Sequence, residues 1–161
     1  MKHFFLENRV SVGNAELWQE PKIAFFASRK SSDVEKEKIR CWGRNQAKRG
    51  ICIVSAFHSD AEKALLSAIL RNGGKAVWIL GKSIPETFSR EESLAVDENR
   101  LFLISCVHRS RHTLATSRYA NHLAAMTADA IVFAHISEES VLYPFYRELC
   151  EKRKSDVTRI K

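Results

Sequence analysis

The residues able to do chemistry in this chain gather just after its apolar runs. Ser28, Arg29 and Ser32 follow the run 23–27, and Ser55, His58, Ser59 and Asp60 follow 51–54. Arg109 and Arg111 follow 101–106, with Arg118 a little further on. Arginine presents a planar fork of donors that matches phosphate oxygens, and the start of a helix favours an anion. The arrangement reads as an edge that recognises phosphates. Two other chemistries fit less well. Cys106, His108 and His112 are metal-ligand types, but structural zinc wants four ligands at recognisable spacings and no fourth is evident. No metal and no other cofactor is therefore expected. His58 with Asp60 has the composition of an acid–base pair, although such neighbours are common in turns. Among Phe57, Trp42 and Trp78, only Phe57 falls where a base could stack beside a basic groove.

Positioning such residues requires a parallel sheet, and residues 51–81 supply its central unit. Ile51-Cys52-Ile53-Val54 is apolar without alternation, as in a strand buried on both faces. Ser59 and Glu62 have capping-box spacing, and Ala61, Ala64, Leu65, Ala68 and Ile69 then recur at helical spacing. Asn72-Gly73-Gly74 stops that helix, and 76–80 is a second buried run. Strand, helix and strand with a short return make a right-handed parallel unit. Pro21 introduces another such strand at 23–27, and Ser32 with Glu35 caps a helix running to about Arg49. Residues 82–99 read as a loop with one short helix, 101–106 as a strand, and Thr116 or Ser117 as the cap of a helix to about Thr127. Residues 130–134 form a fifth strand. A last helix begins between Val141 and Pro144 and ends near Lys152-Arg153-Lys154.

The expected fold class is α/β, a Rossmann-like three-layer sandwich with a doubly wound, mostly parallel sheet of at least five strands. Residues 1–161 read as a single domain, with 1–20 an arm or edge strands and 155–161 a frayed tail. Ligands of such sheets bind beyond the carboxyl ends of the strands, where the segments named above lie. Lys75 is the exception, at the amino end of its strand.

Composition narrows the class. A chain of 161 residues, 45% hydrophobic and 28% charged, is long enough to bury its own core without metal or disulfide. No apolar run approaches the roughly 20 residues of a membrane helix, and the apolar core of residues 1–10 is too short for a signal peptide. Cys41, Cys52, Cys106 and Cys150 are widely spaced, which suits reduced thiols in a cytoplasmic protein. The net charge of +7 is compatible with a polyanionic partner.

A resemblance sharpens this. Ile53-Val54-Ser55-Ala56, Asn72-Gly73-Gly74-Lys75 and Ile79-Leu80-Gly81 follow the order strand, SGxARGID, helix, GGKT, strand of the DNA-processing protein A (DprA/Smf) family, which this chain resembles. Ala27-Ser28-Arg29 with Ser32 is similar to that family's GSR and following serine. Asn121-His122-Leu123-Ala124-Ala125 before the run 130–134 resembles its RNRxIAxLxD segment. The likeness covers residues 23–134. It implies a Rossmann-like domain of the lysine-decarboxylase-like (SLOG) superfamily that binds single-stranded DNA, hands it to a recombinase and forms a homodimer. By the same resemblance Arg29 and Lys75 contact backbone phosphates, Ser28 and Ser55 line the pocket, and Asn121 stands at its rim, with Ser32 and His122 in the same site; Arg118 joins them by position and charge. The chain departs from the pattern at Ala56, at His58-Ser59-Asp60, at His122, and at Ser137-Glu138-Glu139-Ser140, where the family has a glycine-containing turn. It also lacks room for flanking helical and winged-helix domains, as expected of a divergent stand-alone member.

The function expected from this is binding of single-stranded DNA through its phosphates, in DNA processing or recombination. The alternative is a protein that binds or senses a phosphorylated nucleotide. A phosphoribohydrolase of the same superfamily needs a PGGxGTxxE motif, which is absent, so catalysis is not expected.

Overall fold

The computed structural model describes residues 10–105, 111 and 113–161. Within them lie strands β1 (Val10–Gly13), β2 (Lys22–Ala27), β3 (Cys52–Ser55), β4 (Lys75–Leu80), β5 (Leu101–Ser105), β6 (Ala130–Ala134) and β7 (Val157–Ile160). The helices are α1 (Asp33–Lys48), α2 (Asp60–Arg71), α3 (Arg90–Asp97), α4 (Leu114–Thr127) and α5 (Tyr143–Arg153). One seven-stranded sheet runs in the order β1-β5-β4-β3-β2-β6-β7. All neighbours are parallel except β1, which pairs antiparallel with β5 at one edge. The fold class read from the sequence is the one observed.

Side chains of β2 alternate between two cores, as the period of a strand demands. Ala24 and Phe26 face a cluster with Phe133, Ile104, Leu123 and Leu149, and Phe25 and Ala27 face one with Ile39, Leu65 and Ile69. Phe26 packs on Phe133 with centroids 5.1 Å apart, and Phe25 on Trp42 at the same distance. Helices α1, α2 and α3 cover one face, and α4 and α5 the other. Gly43 lets α1 approach α2 closely, since a Cβ there would stand 2.6 Å from a Leu65 methyl. Burial also raises the Cys52 thiol to about 12.

Helix starts follow the capping logic. Ser32 with Glu35, Ser59 with Glu62, and Ser89 with Glu92 form reciprocal capping boxes, each hydroxyl worth about 1 kcal/mol. The helix expected to begin after Thr116 or Ser117 starts earlier, at Leu114. Thr113 is its cap, and the Thr116 hydroxyl is the reciprocal partner that accepts the Thr113 amide at 2.8 Å.

The tail expected to fray is instead strand β7, paired with β6 from Val157 to Ile160. Val157 packs against one core and Ile160 against the other. Arg159 adds an anchor, donating to the Ile136 carbonyl at 2.8 Å and stacking 5.1 Å from the Tyr146 ring. At the amino edge of the sheet, Lys22 is 1% exposed. Its ammonium donates to the carbonyls of Trp18 at 2.6 Å and Glu20 at 2.8 Å, which offsets the cost of burying its charge.

Candidate functional site

Central strand β2 has β3 on one side and β6 on the other, and the chain leaves β2 and β6 toward opposite faces of the sheet. This divergence opens a crevice at their carboxyl ends, where open α/β sheets bind ligands. The crevice is a cavity of about 690 Å³ walled by the β2–α1 loop, the β3–α2 turn, the β6–α5 loop and one face of α4. A smaller hollow of about 510 Å³ adjoins it toward Asp60 and Thr113. The start of α4 crosses closely over the end of β4, because a Cβ on Gly81 would lie 2.9 Å from the Thr116 carbonyl oxygen.

The backbone amides at this edge are already engaged by side chains of the chain itself. Glu62, 3% exposed, accepts from Ala27 N at 2.9 Å, His58 N at 2.8 Å and Ser59 N at 3.2 Å. Burial pushes its carboxyl above the ordinary carboxylate range, while the amides of Ala27, Ser59 and His58 pull in the other direction. Ser59 Oγ donates to the Ala27 carbonyl at 3.2 Å, so the end of β2 and the start of α2 are cross-tied. Ser32 N donates to Glu35 at 2.9 Å, and Ser137 N to Ser140 Oγ at 2.9 Å. The open amides expected to receive a phosphate are thus largely occupied, and charge recognition falls to side chains.

Those side chains come from separate segments. Arg29 and Lys30 project from the β2–α1 loop, and Arg118 from α4; all three are exposed and line the cavity. None of them joins an ion pair among the described residues. Asn121 and His122 stand on the same face of α4. His122 packs edge-on to Phe145 at 4.7 Å. The Asn121 Oδ1 is buried and has no hydrogen-bond partner among the described residues.

His135, just after β6, has a positive φ of 54°, uncommon for a residue with a side chain. Its imidazole is 2% exposed, with Nδ1 3.2 Å from a Glu35 oxygen and a buried Nε2 unpartnered among the described residues. The Ser32 backbone amide, with the Ser32 hydroxyl and His135, holds the Glu35 carboxyl below its ordinary value. The His135–Glu35 contact joins the end of β6 to the start of α1 across the switch point. The wall beyond is partly apolar and partly acidic. Val141 and Leu114 are 70% and 59% exposed, and Glu139 and Glu148 face the same cavity.

Ser28, Arg29, Arg118, Asn121 and His122 therefore line one cavity. Ser32 is exposed and caps α1. Ser55 lies wholly buried beneath the crevice, accepting from Phe57 N at 3.0 Å. Lys75 is on the opposite edge, 2.6 Å from Glu20. Phe57, expected to be open for stacking, is 1% exposed and packs perpendicular to Trp78 at 6.1 Å; its positive φ of 48° turns the side chain into the core. Cys106, His108, Arg109 and His112 lie outside the described residues, within which no cluster of metal-ligand side chains occurs. Lys30 and His135 fall in segments that follow a strand but were not singled out as site residues, and Glu62 was read only as a helix cap. The one signal for them was position, just after a strand or in the first turn of a helix.

Sheet order, switch-point crevice and covering helices define a Rossmann-like α/β protein. Neither a scan of protein-family models nor a search of curated proteins finds a match for the sequence. Among solved structures, the fold is that of DNA processing protein A. The chain superposes on the protein from Streptococcus pneumoniae with a TM-score of 0.75 and 21% identity, over 95% of this chain and 54% of that one. On the Helicobacter pylori protein, whose structure was described for its single-stranded DNA binding mode, the values are 0.74 and 16%, over 96% and 72%. The Moco carrier protein from Chlamydomonas reinhardtii is more distant, with a TM-score of 0.50 and 11% identity over 87% and 88%. At these identities the likeness establishes a shared fold.

Proposed function

We propose that this protein binds single-stranded nucleic acid through its backbone phosphates at the switch-point crevice. The observation that carries the reading is the convergence of Arg29, Lys30 and Arg118, from two distant segments, on one cavity at the carboxyl edge. A net charge of +7 supports it, as does the shared fold with a protein described for binding single-stranded DNA. Arg29 and Arg118 act as phosphate donors, Asn121 and His122 contact the ligand at the rim, and Ser28 shapes the loop that presents Arg29. Ser55 contributes through the turn it holds. Because Glu62 fills the amide cluster beneath, side-chain cations supply most of the affinity, which makes binding steeply salt-dependent.

The test is fluorescence-anisotropy titration of labelled oligo-dT across a salt series, for the wild type and for Arg29→Ala and Arg118→Ala. Loss of affinity with a shallower salt slope in both variants supports the reading. Unchanged binding in both overturns it.

A second reading is a small phosphorylated nucleotide held in the crevice. The cavity volume favours it, since about 300–1,000 Å³ is the usual range for a small-ligand site. Thermal stabilisation by a mononucleotide, with no effect of oligonucleotides, would select it.

A further inference from the structure

The charges around the crevice are not uniform, and their order has a consequence for what fits. Arg29 and Lys30 line the crevice from the β2–α1 loop and Arg118 from α4. On the β6 side the wall carries Glu139 and Glu148, together with the apolar stretch Val141, Leu142, Pro144 and Phe145. On the β3 side, Asp60 lines the adjoining hollow. Glu148 is partly neutralised by Lys152 at 2.9 Å, whereas Glu139 is exposed and joins no ion pair among the described residues.

A strand threading the crevice carries a negative charge at every nucleotide, and would leave over carboxylates and apolar side chains. The unpaired Glu139 repels it there, Glu148 being partly neutralised by Lys152, and the apolar wall offers phosphate little in exchange for its water. A strand that stops in the crevice meets neither cost. Its terminal phosphate monoester also carries more charge than an internal diester, close to −2 at neutral pH, and suits three converging cations better.

We propose that the crevice recognises a terminal phosphate monoester, the end of a single strand, and discriminates against a continuous backbone. This rests on the reading that the crevice binds nucleic-acid phosphates. The Glu139 and Glu148 side is then the stop that sets end selectivity, while Arg29, Lys30 and Arg118 supply affinity.

The experiment compares a linear oligo-dT phosphorylated at both ends with the same oligonucleotide closed into a circle, by competition for the labelled linear probe. A third competitor, dTMP, separates a strand end from a free nucleotide carrying the same phosphate. The expected result is that the linear form competes about tenfold better than the circle, the weight of one charge-assisted contact. Glu139→Gln combined with Glu148→Gln then narrows the difference by strengthening the circle. Competition by dTMP as strong as by the linear strand also supports recognition of the terminal phosphate, and makes the free nucleotide sufficient. Equal competition by circle and linear strand overturns end recognition and leaves phosphate binding standing. Failure of every oligonucleotide and of dTMP to bind overturns both.

Discussion

The Glu62 carboxylate, in the first turn of α2, accepts the backbone amide of Ala27 at the end of β2, 2.9 Å away and 35 residues distant in sequence. With the amides of His58 and Ser59 it fills from within the kind of backbone cluster that elsewhere receives a phosphate.

Glu62→Ala leaves those three amides without their acceptor. A buried donor left unmade costs about 1–3 kcal/mol, so the variant should lose about 3 kcal/mol or more in urea denaturation. Wild-type stability in this variant would mean that water replaces the carboxylate without loss.

Glu62 also gives the protein a pH signature. Burial raises its pKa in the folded state, against about 4.3 in an unfolded chain. The folded state therefore binds this proton more tightly. The stabilisation that follows is complete below about pH 4.3 and is lost as pH rises through the raised value. Glu62→Gln, neutral throughout, should remove that slope from a series of urea midpoints. Glu35 has the opposite sign, since its pKa is lowered in the fold. Its contribution is present above about pH 4.3 and is lost as pH falls through the folded value, and Glu35→Gln should abolish that loss.

Arg29 and Arg118 are predicted to act as separate phosphate contacts. Each contact to a single strand contributes about 0.7 to the slope of log affinity against log salt. Each alanine variant should therefore flatten the slope by about that amount, and the double variant by about twice as much. A parallel line with unchanged slope would place the arginine outside the contact.

Lys75→Ala should leave oligonucleotide binding untouched, because Lys75 pairs with Glu20 on the far edge of the sheet. A half-exposed pair is worth about 1 kcal/mol or less, and chemical denaturation should register no more than that. Weakened binding in this variant would move the interface to the amino edge.

Gly81→Ala sets a Cβ 2.9 Å from the Thr116 carbonyl oxygen, so the start of α4 has to shift. Overpacking of this kind costs about 1–3 kcal/mol, and displaced Ser117 and Arg118 should weaken binding as well. Intact binding with lowered stability would show that the crevice tolerates movement of α4.

Much of this was readable in the residues. The five central strands are continuous apolar runs because both faces are covered, and Ser32, Glu35, Ser59 and Glu62 announce their helix starts by spacing alone. Position at the carboxyl edge also pointed to Ser28, Arg29 and Arg118, while Asn121 was named by the resemblance alone. What was hidden depends on contacts between distant segments. Strand β7 has only Val157 and Ile160 as apolar residues, and needs Arg159 to reach the Ile136 carbonyl. The conformation of His135 is coupled to its contact with Glu35, a hundred residues away in sequence. Phe57 stood in a polar turn, yet Ser55 holds its amide and a positive φ turns the ring inward. Lys75 was assigned by resemblance, against the edge on which its strand position places it.

The central place of β2 also dictates an order of assembly. It pairs with β6 in the register Ile23 to Ala130, and the Lys22 amide donates to Asp129 at 2.9 Å. These partners are separated by most of the chain, and closing so long a loop must precede any reward from the pairing. The units from β2 to β5 can form while the polypeptide is still emerging from the ribosome. The cleft between β2 and β6 comes into being only when the last third of the chain arrives, so a nascent or prematurely terminated product keeps much of the sheet and only one wall of the site.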